Sequence, residues 1–150
     1  MAMRLLFNIL AISGAAMFAG VMLAIGVILG AYWKSLPPQG FLDWFSQNNH
    51  FVAQVIPFVV APALIGLAGS LYISWGDTTG RTLWLVASAC IIAVLAVTFA
   101  YHLPSNAQFA AKAVPLDQVS GKLDSWLLLH SLRIVLALVA SILGIVAIAR

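Results

Sequence analysis

Four stretches of the chain carry enough consecutive uncharged, mostly apolar residues to cross a bilayer, and they constrain the fold more than any other feature. They run from Leu5 to Trp33, Phe51 to Trp75, Thr82 to Tyr101 and Ser125 to Ala149, the last interrupted by one charge, Arg133. About 20 apolar residues at 1.5 Å each span a hydrocarbon core of roughly 30 Å. Backbone groups left unpaired in lipid are costly, and these runs are about twice the length of a transmembrane strand, so each is expected to be a helix. Composition agrees. Charged residues make up 7% of the chain, where a soluble domain carries about 25%. The expected fold is therefore all-α: an integral membrane, multi-pass bundle of four transmembrane helices forming a single domain over residues 1–150.

Seven Lys or Arg against four acidic residues give a net charge of +3. In a bilayer protein basic residues act as loop anchors and orientation signals, so no nucleic-acid partner is expected. The lone Cys90 excludes an intrachain disulfide framework and any CxxC site. The first apolar run exceeds the usual h-region of a secretory signal, and Ser13-Gly14-Ala15-Ala16 sits mid-run, so this segment is read as a retained span. Four spans place both termini on one side, together with the turn Gly76-Asp77-Thr78-Thr79-Gly80. Two longer connections, Lys34 to His50 and His102 to Asp124, lie on the other side. Positive charges divide evenly between the sides. The very short tails and the three Asp on the long-loop side favour cytoplasmic termini in a bacterial inner membrane.

Helices associate in lipid through close backbone approach, which small residues permit. Gly26 and Gly30 form a GxxxG pattern in the first span, and Ala137, Ala140, Ser141 and Gly144 line one face of the fourth. Pro57 and Pro62 remove hydrogen bonds inside the second span. The freed carbonyls need neighbours or a wet cavity, so either a cavity beside that helix or simple curvature is expected.

The polar residues concentrate at one membrane edge. His50 opens the second span, His102 follows the third, and His130 lies roughly 8 Å inside the start of the fourth. An ionisable side chain at that depth is costly and usually faces the bundle interior. Trp126 sits at i−4 and Arg133 at i+3 from His130, so all three share a helix face. Arg133 needs a partner, and the candidates are Asp124, Asp43, a helix-end carbonyl or an anionic ligand. Pro104 is expected to stop the third helix, with Asn106 in an Asx turn after it. Phe41, Trp44 and Phe45 suit a short helix lying in the interface or an aromatic belt. Asn48 and Asn49 either cap the second helix or, with His50 and Gln54, line a polar entrance.

The order Pro104-x-Asn106, then Trp126-x-x-x-His130-x-x-Arg133, with Leu36-Pro37-Pro38 after the first of four spans, resembles the DUF1772 or anthrone oxygenase-like family over nearly the whole chain. The resemblance implies a small membrane monooxygenase without an identified cofactor, oxidising a flat phenolic, anthrone or quinol-type substrate with dioxygen. It also implies that Asn106, Trp126, His130 and Arg133 belong to the site; His50 and His102 rest on position alone. In this reading His130 is the base and Arg133 the oxyanion partner. Trp126 and Asn106, with His102 and His50, bind a small hydrophobic aromatic substrate that enters from lipid.

Two other classes compete. Imidazoles ligate copper, iron and zinc, so His50, His102 and His130 would be the ligands if a metal or haem were present. A non-enzymatic transport or assembly subunit is the other, with His130 and Arg133 relaying protons or binding a head group. Lipid is a partner in every reading, and spans of this kind also allow a homo-oligomer.

Overall fold

The computed structural model describes residues 1–150 as four long helices. These are α1 (Ala2–Ser35), α2 (Pro38–Ile73), α3 (Thr78–Ala110) and α4 (Leu116–Ile148). All four are long and apolar enough to cross a membrane. At 1.5 Å per residue each measures roughly 50 Å, well beyond a 30 Å hydrocarbon core. The surplus lies mainly at one end, and it corrects the expected loops. Much of Lys34 to His50 is the first three turns of α2, and much of His102 to Asp124 is the end of α3 and the start of α4. Loss of hydropathy marks where a helix leaves lipid, not where its hydrogen bonding stops.

Local sequence explains where the helices do break. Leu36 is extended, as a residue before proline prefers. Pro37 is extended too, and Pro38 takes the first helical position of α2, where a missing N–H costs nothing. Pro104 does not end α3. The backbone loosens into a π turn over Thr98–His102, in which Leu103 donates to the Thr98 carbonyl, and the helix runs on to Ala110. A second π turn spans Ile25–Leu29 in α1. Asn48 and Asn49 are likewise not caps: inside α2 they donate to the carbonyls of Trp44 and Phe45 at 2.8 and 2.7 Å.

The helices form a ring in which α1 packs closely on α2 and α4, α3 packs on α4, and α2 meets α3 more sparsely. Gly14 lies against the Ala63 backbone, where a Cβ would sit 2.5 Å from the Ala63 nitrogen, and Gly66 lies against Ala11 just as closely. The Ala137, Ala140, Ser141 and Gly144 stripe is buried, and Ser141 Oγ donates to the Ile12 carbonyl at 3.2 Å. Outward residues such as Phe58, Leu128 and Ile28 are exposed for contact with lipid.

Two apolar cores result. One fills the bundle around Phe18, Met22, Leu67, Trp84 and Ile91. The other fills the projecting end around Trp33, Phe41, Phe45, Phe109 and Trp126. Phe41 and Phe45 are therefore buried core residues rather than an interfacial belt. Lys34–Asp124 and Lys112–Asp43 pairs, each 2.6 Å, fasten the projecting end outside. At the opposite end Arg4 donates to the Ile73 carbonyl at 3.5 Å and Arg150 pairs with Asp77 at 2.7 Å, so both termini share the side of the α2–α3 turn.

Two outcomes follow for stability. Gly66→Val should destabilise the bundle by about 1–3 kcal/mol through overpacking, whereas Gly20→Ala, which meets no neighbour, should be neutral or stabilising by up to about 1 kcal/mol; melting curves in micelles compare them. The Gly80 amide and the Arg150 cation hold the Asp77 carboxyl below the usual 3.8. A depressed folded-state value means that this stabilisation is complete above the unfolded value and disappears as pH falls through the folded one. Asp77→Asn should therefore flatten the acid limb of the melting profile, and an unchanged limb would contradict the assignment.

Candidate active site

Between the two cores lies a cavity of about 340 Å³ to which all four helices contribute. From α1 come Met22 and Ile25. The α2 side is a stripe at helical spacing: Phe45, Asn49, Val52, Ala53, Ile56 and Pro57. Thr98, His102, Leu103 and Asn106 come from α3, and Trp126, His130 and Arg133 from α4. Pro57 supplies no N–H to the Ala53 carbonyl, so the proline expected to accompany a cavity sits on its wall. Ala53, Pro57 and Leu103 are exposed, while His102, Trp126, His130 and Arg133 are buried. The opening therefore lies between α2 and α3.

The α4 face is assembled by stacking. Trp126 and His130 are nearly parallel, with centroids 4.7 Å apart and planes at 13°. His102 packs on the Trp126 ring at 4.8 Å and Trp33 at 5.6 Å. The indole N–H of Trp126 donates to Asn106 Oδ1 at 2.9 Å. An indole nitrogen can only donate, so the Asn106 oxygen is engaged and its amide N–H groups remain for a ligand. Asn49 is oriented the opposite way: its amide nitrogen is held by Phe45 and its oxygen is free.

His130 is held at both nitrogens. Nε2 lies 2.7 Å from the Met22 carbonyl, and Nδ1 lies 3.5 Å from an Arg133 terminal nitrogen. A carbonyl only accepts, so Nε2 carries the proton and Nδ1 the lone pair. Gly26 makes this contact possible: a Cβ there would sit 3.1 Å from the imidazole. Gly30, four residues on, faces Leu127. The GxxxG pattern thus seats two α4 side chains, His130 at Gly26 and Leu127 at Gly30.

Arg133 is 6% exposed, and its Nε has no partner. Neither expected acid reaches it, because Asp124 and Asp43 are paired with lysines at the projecting end. His102, expected just past its helix, is the last residue of the π turn and 1% exposed, with Nε2 unpaired. His102 and His130 lie with ring centroids 5.9 Å apart. His50 does not join them: it is exposed and packs on Phe51. No group of three His, Cys, Asp or Glu converges anywhere in the protein, so His50, His102 and His130 do not meet in one cavity as expected: only His102 and His130 do. His50 sits one residue, or about 100° around the helix, from the Asn49 stripe. The Met22 carbonyl, Thr98 and Phe45 were not foreseen as site groups, although the i, i+4 continuation from Phe41 and Phe45 to Asn49 points to the inward face of α2.

Fold and site define a four-span helical membrane protein with a cavity among its helices that holds a cation without a carboxylate beside imidazole and indole rings. The chain belongs to the anthrone oxygenase family, whose model matches residues 41–143. The match takes in every cavity residue of α2, α3 and α4. No curated protein and no solved structure matches the chain. Replacing Asn106 by Leu should leave the buried Trp126 N–H unpaired and lower stability by about 1–3 kcal/mol; an unchanged melting temperature would show that the indole finds another acceptor.

Proposed function

We propose that the protein is a membrane oxygenase for a flat, weakly acidic aromatic substrate of the anthrone or hydroquinone type, taken from lipid through the α2–α3 opening. The observation that carries this reading is Arg133, a buried cation on the cavity wall with no carboxylate beside it. A neutral substrate satisfies it poorly. A substrate that becomes an oxyanion on losing a proton satisfies it in the state from which oxidation proceeds, which is the differential binding that lowers a barrier. The electron-rich anion then reduces dioxygen. For an anthrone the overall change is a methylene and dioxygen giving a carbonyl and water, so the atoms balance without a further reductant.

The other groups serve this step. Apolar α2 residues hold the rings and exclude water, which strengthens the Arg133–oxyanion attraction. Trp126 forms a rigid wall, with His130 covering one face and Asn106 fixing its edge. The free Asn106 amide donates to a substrate oxygen, and the Asn49 oxygen accepts from a hydroxyl. His130, hydrogen-bonded to Met22, sets the position of Arg133.

Oxygen uptake and anthraquinone absorbance, measured in micelles with an anthrone, test the reading. Arg133→Lys keeps a charge but loses the planar fork, and uptake should fall about 10²–10³-fold with the melting temperature little changed. Wild-type uptake by a folded Arg133→Lys protein would remove Arg133 from the chemistry. An inert wild type would favour a binding or assembly role for the cavity.

A further inference from the structure

We infer that the proton acceptor of the site is His102, through Nε2, and that His130 is a positioning residue. The inference rests on the oxygenase reading above for its substrate, but its basis is the hydrogen bonding of the two rings. A neutral imidazole has one N–H and one lone pair, and only the lone pair can take a proton. In His130 that lone pair is on Nδ1 and faces the Arg133 guanidinium at 3.5 Å. Protonation there would replace the lone pair with an N–H and break the contact that orients Arg133.

His102 has the opposite arrangement. Its Nδ1 lies 3.4 Å from the Val97 carbonyl, five residues back across the π turn. That oxygen can only accept, so Nδ1 carries the hydrogen and Nε2 the lone pair. Nε2 is buried without a hydrogen-bond partner in a residue that lines the cavity. The Trp126 backbone carbonyl also lies near the ring, but no hydrogen bond joins it to Nε2. An ordinary α turn gives the side chain at i+5 a different angle to the helix, so the π turn sets the direction of this imidazole.

In the step assigned, the substrate O–H or activated C–H bond breaks and its proton forms an N–H bond at His102 Nε2. The electron pair stays on the substrate, whose oxyanion lies between the new imidazolium and Arg133. Net charge in the cavity stays at one positive unit, and no co-reactant is needed until dioxygen arrives.

Nitrogen-15 spectra of histidine-labelled full chain in micelles, assigned with His102→Gln and His130→Gln, test the arrangement directly. His130 should carry its hydrogen on Nε2 and His102 on Nδ1. A hydrogen on His102 Nε2, donated toward Trp126, would overturn the proposal. A second measurement uses a hydroxyanthraquinone, whose colour changes when the phenol ionises. Bound to the wild type at neutral pH it should show the ionised band, and bound to His102→Gln the neutral band; the same band in both would overturn the proposal. Oxygen uptake by His102→Gln should fall about 10²–10⁴-fold. A wild type that ionises the dye but takes up no oxygen would sink the oxygenase reading and leave the acceptor in place. Turnover by His102→Gln as fast as wild type would do the reverse.

Discussion

A guanidinium held at bilayer depth without an acid beside it organises the centre of this protein. Arginine near the middle of a spanning helix costs about 2.5–3.5 kcal/mol on insertion scales, and the chain has four acidic residues with which to offset that. None is available. Asp43, Asp77 and Asp124 are paired with Lys112, Arg150 and Lys34, and exposed Asp117 lies in the first turn of α4, where it complements the helix dipole. Arg133 instead meets a lone pair of His130, whose opposite nitrogen is anchored on the Met22 carbonyl. The cation is oriented by this chain of contacts and left unneutralised, which is the condition for attracting an anion formed within the cavity.

The cavity exists because tight and loose contacts alternate around the ring. Gly14 and Gly66 bring α1 and α2 together below the site, and Gly26 lets α4 approach α1 beside it. Proline acts in the opposite sense in α2. On α3 the π turn gives room before Pro104 and turns His102 inward. Such turns inside an α-helix recur at functional sites because one extra residue re-aims the side chains after it. Here Thr98, His102 and Asn106 share the cavity face at steps of four residues across that turn.

The spans were legible because hydropathy responds directly to lipid, and the Trp126, His130 and Arg133 face because three residues at i−4, i and i+3 on a helix must align. The projecting helical end was not, because polar residues such as Gln39, Asp43 and Gln108 look the same in a loop as on the wet face of a helix. Taken as a loop, these residues start α2 about three turns too late and leave His50 and Asn49 side by side at its mouth, with no helical face to tell them apart. Counting from Phe41 and Phe45 as inward residues reaches Asn49, Val52 and Ile56 and passes over His50. The π turns left no periodic trace, since each displaces the register once. Pro104 hinted at a local change in α3, and hydrogen bonding alone shows that the helix widens instead of stopping.

The projecting end also limits how the site can be filled. Trp33, Phe41, Phe45 and Phe109 pack edge to face against one another, and this core stands between the cavity and the water beyond it. Arg133 lies roughly 12 Å along α4 from Ser125, and a long side chain at that depth would ordinarily snorkel toward the interface. The stacked His130 and Trp126 occupy that path, so the guanidinium stays inside. In the function proposed above, a ligand arriving through the α2–α3 opening crosses hydrocarbon, where a preformed anion would bear a large desolvation cost. Such a substrate would be selected twice: neutral and apolar enough to travel through lipid, and acidic enough to release a proton once it faces His102 and Arg133.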